Sequence, residues 1–142
     1  SMTAAARSIC YATAVALDVA VRAKDPKVRA DAAARGALLT PIAKAFSTDI
    51  AQEVTSLGVQ VHGGMGFIEE TGAAQHMRDA RILPIYEGTN GIQAIDLVAR
   101  KLPIGGGQVV ADYLREMAET ARAYPSFLLF GAPPKPVEGP GR

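Results

Sequence analysis

The chain has 142 residues, of which 49% are hydrophobic and 20% are charged, a composition typical of one globular domain and not of a disordered chain. Its 15 lysines and arginines nearly balance 14 aspartates and glutamates, and the net charge of +1 argues against nucleic acid and anionic membranes as partners. The 26 alanines and the absence of tryptophan favour closely packed helices.

Cysteine usage and hydropathy bear on the compartment. The single cysteine, Cys10, excludes an intrachain disulfide, and we expect a protein of the reducing cytoplasm. Because Cys10 falls in an apolar helical stretch, an inert thiol in the core is predicted. We find no apolar run of the roughly 18 residues that a membrane span needs, and no signal-peptide pattern.

Two long helices are predicted in the first half of the chain. Apolar or small residues cover nearly every face of 3–24, which predicts a buried helix that ends at Asp25-Pro26. A second helical stretch covers 28–61, where Pro41 predicts either a kink or two helices end to end. Beyond Pro41, steps of four and three place a set of apolar residues on one helical face: Ile42, Phe46, Ile50, Val54, Leu57 and Val61.

Shorter helices are predicted in the second half. One covers 72–82, with Thr71 as a possible N-cap, and another covers 89–102. A last amphipathic helix covers 109–124, after a glycine-rich loop. The tail, 131–142, holds four of the nine prolines and three glycines, which predicts a flexible segment. The predicted fold class is therefore all-α, an up-and-down helical bundle of four or five helices.

A glycine cluster follows the long second helix, at Gly63, Gly64 and Gly66. Paired glycines let another group approach the backbone closely, and their amides could cradle a phosphate or a polar edge of a cofactor. A glycine C-cap followed by a turn explains the same pattern. Spacing alone leaves both interpretations open and favours the turn.

A glutamate, Glu87, lies on a predicted loop between Pro84 and the helix that begins near Thr89. A carboxylate desolvated beside an apolar ligand would have a raised pKa and could act as a general base near neutral pH. The alternative is an acidic residue that the dipole of the following helix favours. Spacing alone favours this second explanation.

The remaining charged motifs predict structural roles. Arg78 and Asp79 are adjacent and point in different directions, so we expect ion pairs with other elements. His62 and His76 are fourteen positions apart with no zinc-ligand spacing, and no metal site is predicted.

Four segments, in this order and at this spacing, resemble the C-terminal helical domain of the acyl-CoA dehydrogenases. They are Ala43-Lys44-Ala45-Phe46, Gln60-x-x-Gly63-Gly64-x-Gly66-Phe67, Met77-Arg78-Asp79-Ala80-Arg81 and Ile85-Tyr86-Glu87-Gly88-Thr89-Asn90-x-Ile92-Gln93. Details such as His62-Gly63-Gly64-Met65 resemble most closely the branch that includes the methylmercaptopropionyl-CoA dehydrogenases. The resemblance covers 3–102 and implies that domain without its first helix, followed by a helical extension over 103–130.

The resemblance implies a flavin-dependent oxidation. In the family, FAD oxidises the Cα–Cβ bond of an acyl-CoA thioester to a trans-2-enoyl-CoA, while a glutamate removes the α-proton. Glu87 matches that base, and Tyr86 and Gly88 match substrate-binding positions. The positions that match FAD-binding segments are Gln60, Val61, His62, Gly63, Gly64, Thr89, Asn90 and Gly91. The first five match a segment that reaches the FAD of a neighbouring subunit.

The same resemblance implies partners: acyl-CoA as substrate, electron-transfer flavoprotein as electron acceptor, and a homo-oligomer, either a dimer or a tetramer. Family members are several times longer and place two further domains before this one, so we expect a fragment that is inactive alone. A stand-alone helical oligomerisation or binding module and a fragment of an acyl-CoA oxidase are the alternatives.

Overall fold

The computed structural model describes residues 1–124, and within that range it consists of helices and turns without a strand. Six α-helices follow one another: α1 (Met2–Arg22), α2 (Pro26–Val61), α3 (Gly64–Phe67), α4 (Ala73–Ile82), α5 (Asn90–Asp96) and α6 (Gln108–Ala123). Helix α3 is a single turn, and α5 continues as a π-helical turn over Leu97–Lys101. The predicted all-α helical fold is confirmed.

Helices α1 and α2 pack against each other as a hairpin. The turn forms where the sequence predicts it, because Asp25 caps α2 by accepting a hydrogen bond from the backbone N–H of Lys27 at 2.7 Å. Gly36 permits the close approach of the two helices, since a Cβ atom there would lie 2.9 Å from Leu17 Cδ2. The small residues of these helices therefore set how closely they pack.

Helix α2 continues through Pro41 over 36 residues, so the prediction of two helices end to end is wrong. Proline removes one backbone hydrogen bond, which costs stability in a helix interior. Here Pro41 is fully buried beside Leu38 and Leu39, the largest fully buried side chains in residues 1–124. Burial of these apolar groups offsets the missing bond and keeps the helix continuous.

Helix α1 is not buried all round, contrary to the prediction. Only Thr13 and Ala16 are buried, whereas Tyr11 is 66% exposed and Val21 is 79% exposed. Cys10 is also exposed, with its Sγ 3.3 Å from Ser47 Oγ, so the prediction of a core thiol is wrong. The reason is geometric: α2 covers one face of α1, and no other part of residues 1–124 covers the rest.

Helix α1 is long and apolar enough to cross a membrane by length and composition, contrary to the expectation that no stretch of the chain is. Arg7 and Asp18 interrupt its apolar residues, but the stretch as a whole remains apolar enough to pass this test. A core helix of a soluble protein and a signal sequence pass the same test, so this finding alone assigns no location.

The second half of the chain folds back along α2. Thr71 is not the N-cap of α4, because Gly72 occupies that position and the Thr71 hydroxyl donates instead to the Met65 carbonyl at 2.7 Å. Gly66 is buried against α2, and a Cβ there would lie 2.3 Å from the Val59 carbonyl oxygen. The α3 turn can therefore pack on the end of α2 only with glycine at position 66.

Helix α6 is attached to α2 through Arg35. Its guanidinium donates two hydrogen bonds to the Glu116 carboxylate, at 2.7 and 3.0 Å, and lies 5.1 Å from the centre of the Tyr113 ring. This helix forms the described part of the predicted extension over 103–130. The end of that extension and the predicted flexible tail, 131–142, lie outside the described residues.

Candidate functional site

The loop between α4 and α5 presents Glu87 at the surface. The Asn90 N–H donates to the Pro84 carbonyl at 3.0 Å, and the Tyr86 N–H donates to the Ile82 carbonyl at 3.2 Å, so hydrogen bonds close the loop at both ends. Glu87 itself is exposed, and Tyr86 beside it is 46% exposed. The loop therefore leaves the Glu87 carboxylate accessible to a ligand that docks on this side of the protein.

Glu87 has a strained backbone. Its φ of 55° makes it the only non-glycine residue in 1–124 with a positive φ, and Gly88 follows with φ 83°. A left-handed conformation costs a residue with a side chain roughly 1 to 2 kcal/mol, and such strain concentrates at functional sites. The dipole explanation considered for this glutamate does not by itself account for that conformation.

Gly88 is held close to the first turn of α5. A Cβ at this position would lie 3.0 Å from Gln93 Nε2, which donates a long hydrogen bond of 3.5 Å to the Gly88 carbonyl. The Gln93 amide is the end of a flexible side chain and could move by a few tenths of an ångström. The turn therefore needs glycine at position 88 mainly for its left-handed φ.

Asn90 anchors the beginning of α5 on the middle of α2. Its Oδ1 accepts from Lys44 Nζ at 3.0 Å, and its Nδ2 donates to Asp49 Oδ1 at 2.7 Å. Thr48 Oγ1 lies within hydrogen-bond distance of both atoms of the amide. The sequence motifs include Lys44 but give no sign of Thr48 or Asp49, because the contacts of these α2 residues with Asn90 depend on helix packing.

The second candidate segment lies at the C-terminal end of α2. The residues predicted there to contact a cofactor are all exposed: Gln60, Val61, His62, Gly63 and Gly64. Gly63 adopts φ 60° and ψ −143°, and a Cβ at Gly63 or Gly64 would meet nothing within 4 Å. His62 Nδ1 lies 2.8 Å from the Gly58 carbonyl, which can only accept, so we assign the ring proton to this nitrogen. The Gly63 N–H donates to the Gln60 carbonyl at 3.1 Å, so the open surface beside the glycines, and not the Gly63 amide, is what an incoming group can reach.

The two candidate segments are not brought together within one chain. Thr89, Asn90 and Gly91 lie at the start of α5 and meet α2 near Thr48, twelve residues before Gln60. At 1.5 Å per residue, that separation is about 18 Å along the helix axis. The structure does, however, bring Tyr86, Glu87, Gly88 and Thr89 to Gly91 into one short region.

The charged motif of α4 forms one ion pair. Arg78 donates to Glu69 at 2.6 Å, in the turn before the helix, which confirms an ion pair with another element for Arg78. For Asp79 the prediction is wrong, because its carboxylate accepts a hydrogen bond from Gln75 of the same helix, at 2.6 Å. Residues 1–124 hold no group of three or more metal-ligating side chains.

The comparisons with known proteins agree with this architecture. The family model described as "Acyl-CoA dehydrogenase, C-terminal domain" matches residues 2–102, from α1 through the π-helical turn. The chain belongs to the acyl-CoA dehydrogenase family. This match includes both candidate segments and confirms the resemblance drawn from the four motifs.

Among relatives, the chain is 49% identical over 120 residues to 3-methylmercaptopropionyl-CoA dehydrogenase of Ruegeria pomeroyi, across 84% of this chain and 20% of that protein. It is 32% identical over 119 residues to a butyryl-CoA dehydrogenase of Syntrophomonas wolfei, with the same coverage. A third relative, short-chain specific acyl-CoA dehydrogenase of Megasphaera elsdenii, is 54% identical over 52 residues, across 37% of this chain and 14% of that protein. The chain thus spans about a fifth or less of the length of these relatives.

Proposed function

We propose that this chain is the C-terminal helical part of an FAD-dependent acyl-CoA dehydrogenase in which Glu87 removes the α-proton of an acyl-CoA thioester. The proposal rests on one observation: Glu87 is exposed and has a left-handed backbone, in a loop that hydrogen bonds close and attach to α2. The domain that contains this loop belongs to the family. The names of the relatives, which include 3-methylmercaptopropionyl-CoA and butyryl-CoA dehydrogenases, support a short acyl chain as the substrate.

Proton removal is the step that this chain would perform. The α-proton of a thioester is weakly acidic, so the base must be a carboxylate held against it with water excluded. FAD, when bound, accepts the β-hydrogen as hydride, which balances the oxidation to the trans-2-enoyl thioester. The Glu87 carboxylate takes the α-proton, while Tyr86 and Gly88 border the acyl group and the thioester.

The residues present are suited to FAD contact along exposed backbone. Gly63 and Gly64 leave open space where a side chain would stand, so a polar edge of the cofactor can approach the backbone closely at this point. Thr89, Asn90 and Gly91 would contact FAD beside the Glu87 loop. The family resemblance, and not the separation along α2, is the basis for assigning the two segments to FAD molecules of different subunits in a homo-oligomer.

The isolated chain is expected to be inactive. Glu87 is exposed in residues 1–124, and catalysis requires the base, the thioester and the flavin to be held together in a water-poor site. Further surfaces would be needed to cover the loop. Electron-transfer flavoprotein is the proposed acceptor for the complete enzyme, and the cytoplasm is its proposed location.

Replacement of the proposed base tests the function. In the flavin-loaded enzyme that contains this domain, Glu87→Gln should retain bound flavin and lose turnover by at least about a thousandfold, because general-base catalysis contributes factors of this order. The measurement is bleaching of the flavin absorbance by butyryl-CoA and by 3-methylmercaptopropionyl-CoA.

The matched control is Glu70→Gln, an exposed glutamate in the turn before α4. The flavin of the Glu70→Gln enzyme should bleach at the normal rate, because Glu70 has no proposed role. Normal turnover in Glu87→Gln would remove Glu87 from the role of base. Bleaching in the 142-residue chain supplied with FAD would contradict the expected inactivity of that chain.

A second candidate function, a helical oligomerisation module without catalysis, is favoured by exposed apolar side chains on α1 and α5. Such surfaces on a soluble protein mark interaction sites. Self-association of the chain combined with normal turnover in Glu87→Gln would favour this candidate over the first.

A further inference from the structure

We propose that Asn90 is a positioning residue, whose side chain locks the Glu87 loop onto α2 and has no N–H left for a cofactor. The catalytic meaning of this lock rests on the proposed function of Glu87, but the lock itself is a property of the fold. It narrows the expected contact of Asn90 with FAD, because the backbone N–H of Asn90 is also bonded within the chain.

The Asn90 side chain uses both of its N–H donors within its own chain. Its nitrogen can donate two hydrogen bonds, and Asp49 Oδ1 and Thr48 Oγ1 accept them at 2.7 and 2.9 Å. Its oxygen accepts from Lys44 Nζ at 3.0 Å. Thr48 Oγ1 lies 3.2 Å from that oxygen, but its one proton is nearer to the Lys44 carbonyl, at 2.8 Å. No side-chain N–H of Asn90 therefore remains for an incoming ligand.

The charges on either side set the orientation of the amide. Lys44 can only donate, so the Asn90 oxygen must face it, and the Asp49 carboxylate can only accept, so the nitrogen must face that side. Hydrogen bonds to charged partners are stronger than those between neutral groups. Asn90 therefore sits between a cation and an anion of α2 in one defined orientation.

The backbone of Asn90 closes the same loop. Its N–H donates to the Pro84 carbonyl at 3.0 Å, across the five residues that include Glu87 and Gly88. Asn90 therefore closes the loop through its main chain and attaches the loop to α2 through its side chain. This double attachment can hold Glu87 in its left-handed conformation, which a free loop would relax.

The test uses the 142-residue chain and amide hydrogen exchange. In Asn90→Ala, the protected amides of Tyr86, Asn90, Ile92 and Gln93 should exchange roughly tenfold to a hundredfold faster, as expected from the loss of hydrogen bonds to charged partners. Exchange in the buried part of α2 should be unchanged. Gln75→Ala, which removes an exposed amide on α4, is the control and should leave the loop protected.

A pair of charge-changing substitutions tests whether the hydrogen bonds of Asn90, and not only its packing, hold the loop. Asn90→Asp places a carboxylate against Asp49 and should open the loop in the same way. Adding Asp49→Asn restores a donor on that side while Lys44 stays paired, so the double variant should recover most of the protection. Lack of rescue, or a loop that stays protected in Asn90→Ala, would overturn the proposal.

The hydrogen-exchange results do not depend on the proposed enzymatic function, because the exchange measurements use neither flavin nor substrate. If the loop opens, rescue works and Glu87→Gln retains activity, the lock stands and the assignment of the base fails. If the loop stays closed in Asn90→Ala while Glu87→Gln loses turnover, the base stands and Asn90 is not its positioning residue.

Discussion

Glycines with different surroundings show how single residues determine this fold. At Gly66, an added Cβ would lie 2.3 Å from a backbone carbonyl oxygen, which cannot move without distorting α2. At Gly36, the nearest atom, at 2.9 Å, is the end of the Leu17 side chain, which can rotate. The two positions therefore differ in cost although both are buried glycines.

We expect Gly66→Ala to lower the free energy of unfolding by about 2 kcal/mol, as in other overpacked sites. Gly36→Ala should change it by less than about 1 kcal/mol, because the higher helix propensity of alanine offsets the displacement of Leu17. Urea unfolding followed by circular dichroism measures both. Equal losses for the two variants would contradict the backbone clash at Gly66.

The sequence identifies Glu87 as a candidate base but leaves its conformation open. We infer that the Pro84–Asn90 hydrogen bond and the contact of Asn90 with α2 hold its positive φ. Neither interaction is visible in local spacing. Residue types and their order were therefore enough to name Glu87, and packing was needed to show what holds it.

At the scale of elements, the helix limits follow the sequence closely. Proline and aspartate place the turn before α2, and glycines end it, because these residues act through local backbone geometry. Pro41 was misjudged as a possible break, since its burial beside Leu38 and Leu39 depends on the packing of α1. Local sequence signals therefore predict where a helix ends more reliably than whether a proline interrupts it.

The attachment of α6 should depend on pH. The bidentate hydrogen bond from Arg35 holds the pKa of the Glu116 carboxyl below its ordinary value of 4.5. A lowered folded-state pKa stabilises the attachment above pH 4.5, and this contribution is lost as the pH falls through the lowered pKa. With side chains 40% and 55% exposed, the ion pair contributes at most about 1 kcal/mol.

An NMR titration of the side-chain carboxyl carbons checks this expectation. In Arg35→Met the pKa of Glu116 should rise towards its ordinary value, and Glu116→Gln should remove the acid-dependent loosening of α6. Glu119→Gln, an exposed residue on the same helix, is the control. An unchanged pKa of Glu116 in Arg35→Met would show that another group is responsible.

At the scale of the whole molecule, the apolar surface exceeds what residues 1–124 can bury. On α5 and its continuation, Ile95 is 63% exposed and Val98 is 65% exposed, although their spacing of three residues places them on one apolar face. Much of α1 is exposed as well. A helix pattern shows which side is apolar, but only the assembled fold shows whether that side is covered.

We expect this surface to support self-association. Ile95→Asp should weaken it, raising the dissociation constant roughly tenfold to a hundredfold, since a buried isoleucine contributes about 1.5 to 3 kcal/mol. Analytical ultracentrifugation over a range of concentrations measures the effect. Ala111→Asp on α6 is the control, and equal behaviour of the two variants would show that the α5 face is not the interface.

The sequence by itself determined the all-α class, the helix limits and the family, because alanine content, breakers and ordered motifs are local properties of the chain. Tertiary structure alone decided that Asn90 links the Glu87 loop to α2 and that the two candidate segments lie apart. It also decided that α1 and Cys10 are exposed. These features depend on which helix faces meet, and that is set by packing between residues far apart in the sequence.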